Sequence, residues 1–188
     1  MKKNRAFFID RDGIIIKTIN NEAPTNSDEM LINKGVRSFL KFTKKLGFIN
    51  IIISNQPDIA LSKITEKEKN GLEKKFLNLI KDNSLPIDDI YYCHHHDKAL
   101  NPKYRINCNC RKPKTGMWKI SGKKWQINYK TSYTLGDRAS DIKGGHKMGT
   151  KTILLDPNNF QEKYLKLHKI MPDYKIRSLN EVQTICKQ

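Results

Sequence analysis

The segment FFIDRDGIII, residues 7–16, ends an apolar run in two carboxylates two positions apart, Asp10 and Asp12. If the strand continues to Asp12, the two side chains share a direction. Both acids then reach one site at the carboxyl end of a strand, where open α/β sheets place their ligands. A strand end followed by a polar turn accounts for one Asp and for Gly13. It does not account for two further polar clusters after strand-like runs. Residues 48–53 lead into Ser54, Asn55 and Gln56, and residues 132–135 lead into Asp137 and Arg138, with Asp141 one helical turn on. In a parallel sheet such ends lie along one edge. That gathers Asp10, Asp12, Ser54 and Asp137 around one pocket, with Asp141, Arg111, Lys112 and Arg138 as candidates to join them.

This set has coherent chemistry. Clustered carboxylates repel one another unless a cation neutralises them, and an all-oxygen donor set suits magnesium. One carboxylate can attack phosphorus. A second can protonate the leaving oxygen and then deprotonate water. A hydroxyl and a lysine can hold the equatorial oxygens as charge builds. These are the residue types that hydrolysis of a phosphate ester requires. For Asp141 a plainer reading is preferred, because an acid in the first turn of a helix is favoured by the dipole alone.

Cys93-His94-His95-His96 and Cys108-Asn109-Cys110 form a second constellation, with twelve residues between His95 and Cys108. In extended chain Cys93 and His95 point one way, as do Cys108 and Cys110, while His94 and His96 point elsewhere. Two such pairs give four ligands, the number structural zinc uses, and leave no open position for catalysis. Cys186 lies far away and reads as a packed free thiol.

The elements that must carry these residues alternate. Strands are expected at 6–9, 48–53, 90–92, 132–135 and 151–155. Helices are expected at 35–46, from a capping box at Thr65 and Glu68 to about 82, at 115–125 and at 140–148, with a short final helix after Ser178 and Glu181. Residues 93–113 read as a polar loop. The pattern predicts an α/β fold, a Rossmann-like parallel sheet with helices on both faces.

The composition sets the remaining bounds. A 188-residue chain with 37% hydrophobic residues and no low-complexity tract predicts one globular domain over 1–188. No apolar run is long enough to span a bilayer, and the start does not read as a signal peptide. The chain is expected to be cytoplasmic and monomeric, with its cysteines as thiols or ligands. The formal charge of +17 favours an anionic partner. Abundant Lys, Ile and Asn can also reflect genome composition, so the charge decides little.

D-R-D-G, then S-N-Q, R-K-P and G-D-R-x-x-D, in that order over about residues 6–155, resemble the haloacid dehalogenase superfamily of phosphatases. The resemblance implies that Asp10 is nucleophile and magnesium ligand. Asp12 is then general acid and base, with its carbonyl on magnesium. Ser54 and Lys112 steady the phosphoryl group, and Asp137 completes the magnesium site. Arg11, Asn55, Gln56, Arg111 and Arg138 would border the substrate. So would Thr18, Ile19, Asn20 and Asn21, the family's recognition segment.

C-x-H, a loop, then C-x-C-R-K-P resembles the D-glycero-D-manno-heptose bisphosphate phosphatases and the histidinol-phosphate phosphatases. In both, a small zinc loop, here about residues 93–110, stands in for a larger cap domain. That would set Arg111 and Lys112 at the pocket mouth. The implied substrate is a small phosphorylated molecule, a heptose bisphosphate before histidinol phosphate. The chain departs from the pattern at Asp58, where glycine is usual, at Ser62-Lys63 in place of Arg-Gly, and at Ile16 in place of Asn. Two readings rank lower: a phosphatase for nucleic-acid 3′-phosphates, and a non-enzymatic nucleic-acid-binding zinc protein. The second leaves Asp10, Asp12 and Asp137 without a task.

Overall fold

The computed structural model describes residues 3–186, so the expected domain of 1–188 extends two residues beyond them at each end. Six parallel strands form one sheet in the order β3-β2-β1-β4-β5-β6. They are β1 (Arg5–Ile9), β2 (Phe48–Asn55), β3 (Asp89–Cys93), β4 (Tyr133–Gly136), β5 (Lys151–Leu155) and β6 (Tyr174–Ile176). The connecting helices are α1 (Val36–Lys45), α2 (Glu66–Asp82), α3 (Gly116–Lys124), α4 (Ala139–Met148), α5 (Glu162–Leu167) and α6 (Val182–Ile185).

Local chemistry explains most of these elements. The capping box that opens α2 is formed: Thr65 Oγ1 accepts the Glu68 N–H and the Glu68 carboxylate accepts the Thr65 N–H. β1 is apolar on both faces because both are covered. Phe7 and Ile9 pack with Val36, Phe39 and Leu40 of α1, Leu72 and Phe76 of α2, and Val182 and Ile185 of α6. Ala6 and Phe8 face the other way, onto Met117 and Trp118 of α3.

The chain leaves β1 toward β2 and β3 on one side, then returns to place β4 on the other. β1 and β4 therefore flank the topological switch point, where the carboxyl ends of the strands open a crevice. Asp10 follows β1 and Asp137 follows β4. The order of strands thus puts these two acids side by side although they are far apart in sequence.

Three expectations are corrected. β1 stops at Ile9, so Asp10 and Asp12 do not share a strand. Asp10 still donates its N–H to Leu135 O at 2.9 Å, but the chain then turns, with Gly13 at φ 84°. β2 runs on through Ser54 and Asn55. Finally, α5 and β6 were not expected; a three-residue edge strand and a six-residue helix are too short to show a period.

Candidate active site

Lys112 organises the floor of the crevice. Its ammonium lies 2.9 Å from Asp10 Oδ1, 2.6 Å from Asp141 Oδ1 and 2.9 Å from Ile53 O. All three donors of a buried ammonium are thus satisfied, which is what makes its burial tolerable. Burial works against the lysine's charge, but Asp10 and Asp141 raise its pKa overall. Asn55 fixes the segment: its side chain accepts the Lys112 N–H at 2.9 Å and donates to Lys112 O at 3.1 Å.

Asp141 does more than cap α4. It accepts the Arg138 N–H, as an acid at a helix start should. It is also 1% exposed and paired with Lys112. Burial, helped by Asp10 and opposed by Lys112, pushes its carboxyl up to about 6. The helix dipole alone therefore does not account for Asp141.

Asp10, Asp137 and Asp141 each bring a carboxylate oxygen within 4.8 Å of the others. Asp137 Oδ1 is buried and has no hydrogen-bond partner, while Arg138 Nε lies 3.6 Å from Oδ2. Burial first, then Asp10 and Asp141, hold the Asp137 carboxyl well above the usual carboxylate range. An orphaned buried oxygen beside two further carboxylates fits a hard divalent cation, and an all-oxygen set fits magnesium.

The Asp12 carboxylate faces a different set of partners. Its Oδ1 lies 3.0 Å from Arg11 Nε, and its Oδ2 accepts from Gln56 Nε2. Gln56 also donates to Ser54 Oγ at 2.9 Å. Consecutive residues on β2 point to opposite faces, so Ser54 joins the Asp12 side and Asn55 the Lys112 side. Asp12 and Asp10 nonetheless border one cleft of about 340 Å³, with Thr18, Asn55, Arg111, Lys112, Asp137 and Arg138.

Several expected substrate contacts are placed elsewhere. Arg11 is 4% exposed and its side chain is not on the cleft wall. Gln56 turns toward Asp12 rather than into the cleft. Ile19 and Glu22 exchange backbone hydrogen bonds of 3.0 and 2.9 Å around Asn20 and Asn21, at φ 51° and 62°. This is the two-residue hairpin in which both central residues are left-handed, a conformation asparagine tolerates. Of this segment Thr18 borders the cleft, and Thr18 and Asn21 line an adjoining cavity of about 610 Å³ that shares Asp137 with it; Ile19 and Asn20 line neither. The carbonyl of Asn21 accepts from the Arg138 guanidinium, which ties the hairpin to the start of α4.

Three charged cleft residues were not expected as site members: Glu22, Asp58 and Lys63. Lys63 Nζ lies 2.7 Å from Glu22 Oε2, joining the hairpin to the loop after β2. Burial raises the Asp58 carboxyl, with Lys63 opposing it. The only sequence signal for Asp58 and Lys63 was their departure from the family pattern.

At the end of β3, Cys93, His95, Cys108 and Cys110 converge, with donor atoms within 4.8 Å. Cys93 Sγ lies 3.6 Å from Cys108 Sγ and 2.8 Å from Cys110 Sγ, and His95 Nδ1 lies 3.3 Å from Cys110 Sγ. All four cysteines are free thiols. Three sulfurs and an imidazole form the soft donor set that zinc selects. His94 turns away to Gln56 O at 3.0 Å, and His96 to Asp97 at 2.9 Å. Cys186 packs against the main core instead. Arg111, next to Cys110, donates to His95 O at 3.2 Å, so the cluster carries the segment that delivers Lys112.

The model of the family described as polynucleotide kinase 3 phosphatase matches residues 5–169. The chain belongs to that family. It is a phosphatase, a phosphoric monoester hydrolase with a haloacid-dehalogenase-like fold. It is 35% identical over 153 residues to the D-glycero-alpha-D-manno-heptose-1,7-bisphosphate 7-phosphatase of Photorhabdus laumondii, covering 81% of this chain and 82% of the relative. It is 33% identical to the D-glycero-beta-D-manno-heptose-1,7-bisphosphate 7-phosphatase of Helicobacter pylori, covering 83% and 85%. The fold matches the D,D-heptose 1,7-bisphosphate phosphatase of B. bronchiseptica, solved with magnesium and phosphate, with a TM-score of 0.77 at 18% identity, over 97% of this chain and 99% of that one. Among the described residues of this phosphatase, no helix is long and apolar enough to cross a membrane.

Proposed function

We propose that this phosphatase removes the 7-phosphate of D-glycero-D-manno-heptose 1,7-bisphosphate in the cytoplasm, with residues 1–188 working as one domain. The observation that carries the chemistry is the Asp10 carboxylate beside Lys112 and the orphaned Asp137 Oδ1 at the switch point. The substrate rests on the names of relatives 30–35% identical.

Asp10 attacks phosphorus. As the bond from phosphorus to the sugar oxygen breaks, its electron pair goes to that oxygen, which takes a proton from Asp12. The resulting aspartyl-phosphate is then attacked by water. Asp12 removes the water's proton, the new P–O bond forms, and the bond to Asp10 breaks with its electrons returning to the carboxylate. Ser54 and Lys112 steady the phosphoryl oxygens. Asp10, Asp137 and the Asp12 carbonyl would hold magnesium, which supplies positive charge against the phosphoryl oxygens when bound. Cys93, His95, Cys108 and Cys110 would hold a structural zinc.

The family description supports one second reading, a 3′-phosphorylated nucleic acid. A phosphate-release panel separates the two. It compares both anomers of the heptose bisphosphate, histidinol phosphate, other sugar phosphates and 3′-phosphorylated DNA, with and without magnesium. The heptose bisphosphate should give the highest kcat/KM. A higher value for DNA or for histidinol phosphate would overturn the assignment.

A further inference from the structure

Between Asp10 and Asp12 in sequence stands a buried cation, Arg11. The Arg11 side chain is buried and lines a separate small cavity with Gln56 and Tyr92, and its guanidinium carbon lies 5.5 Å from the Phe76 ring centroid and 5.6 Å from that of Tyr92. Two aromatic faces at that range suit a planar guanidinium. Its Nε meets Asp12 Oδ1 at 3.0 Å. Burial opposes its charge, but Asp12 and Tyr92 together outweigh that effect.

The supports are rigid. Phe76 is fully buried on α2. Tyr92 precedes the cluster cysteine Cys93 on β3, and His94, on the other side of that cysteine, meets Gln56 O at 3.0 Å. Asp12 is thus gripped on Oδ1 by Arg11 and on Oδ2 by Gln56. Both partners rest on residues that flank Cys93.

We propose that Arg11 is the positioning residue for proton transfer by Asp12. Held between Phe76 and Tyr92, its Nε fixes the Asp12 carboxylate in the rotamer that can reach the leaving oxygen. This rests on the reading of Asp12 as general acid and base. The effect of Arg11 passes through Asp12.

The test measures alcohol release in a single turnover for two substrates with opposite needs. 2,4-Dinitrophenyl phosphate expels its leaving group without a proton, whereas glycerol 2-phosphate requires one. Arg11→Met should lose about 100-fold on glycerol 2-phosphate, the scale of general acid catalysis, and less than about threefold on the dinitrophenyl ester. Asp12→Asn should show the same selectivity. Phe76→Leu removes one aromatic wall while keeping the core apolar, and should show a weaker loss of the same kind. Equal losses on both esters in Arg11→Met, or no loss on either, would overturn the proposal. If Arg11→Met does not fold, Phe76→Leu decides by the same comparison. If Asp12→Asn lacks the selectivity, the assignment of Asp12 fails instead.

Discussion

Lys112 and Asp141, 2.6 Å apart and each with a side chain 1% exposed, form a buried ion pair at the floor of the cleft. Asp10 shares the same ammonium at 2.9 Å. Removing the cation would leave two carboxylates facing each other out of water. Lys112→Met should therefore abolish turnover and destabilise the metal-free protein by about 3 kcal/mol or more. Asp141→Asn removes only one charge of three and should do less of both. Steady-state kinetics and denaturant midpoints on the two variants check the order.

Asp10 has a different exposure to substitution. Asp10→Asn keeps the shape and the hydrogen bond from the Arg11 N–H, which reaches Oδ1 at 2.7 Å. On the proposed mechanism it removes the attacking electron pair. Turnover should vanish while the thermal midpoint moves by a few degrees at most. Hydrolysis by the purified variant above a few per cent of wild type would show that another group attacks.

Gly13 is tied to the proposed cation site by geometry rather than charge. It sits at φ 84°, and a Cβ there would lie 2.1 Å from Asp137 Oδ2. The left-handed backbone alone costs a side chain about 1 kcal/mol. The collision adds a displacement of Asp137, whose Oδ1 is the orphaned donor. Gly13→Ala should thus raise the magnesium concentration for half-maximal activity at least about tenfold, for about 1.4 kcal/mol of lost binding. A magnesium titration of activity reads this directly, and an unchanged midpoint would remove Asp137 from the cation site.

Which of these relationships the sequence displays depends on their range. Parallel strands covered on both faces read as continuous apolar runs, so β1, β2 and β5 and the polar residues after them are legible. The Cys93–His95 and Cys108–Cys110 pairs are legible from their residue types and spacing, and they converge although only Cys93 lies in a strand. Alternation does not extend to Asp12, because the strand ends at Ile9 and a turn redirects the acid toward Arg11 and Gln56. Asp141 has a sufficient local explanation at the start of α4, which hides its pairing with Lys112. Arg11 looks like a cleft residue until α2 and β3 supply Phe76 and Tyr92. The Glu22–Lys63 contact joins residues 41 apart in sequence, and no local pattern encodes it.

The Cys93, His95, Cys108 and Cys110 cluster should hold about one zinc per chain, the stoichiometry of a four-ligand structural site. Its consequence for activity follows from the chain path. Arg111 follows Cys110 directly and donates to His95 O, and Lys112 comes next, on Asp10 and Asp141. Loosening the cluster frees the segment that delivers this lysine. Cys108→Ser removes one thiolate ligand without touching the cleft. The variant should lose zinc by elemental analysis, melt lower, and lose kcat in parallel. Treatment of the wild-type protein with a strong chelator should reproduce all three changes, and added zinc should reverse them. Full zinc content in Cys108→Ser would remove that sulfur from the ligand set. Zinc loss with unchanged kcat would show that the cluster and the Lys112 segment are mechanically independent.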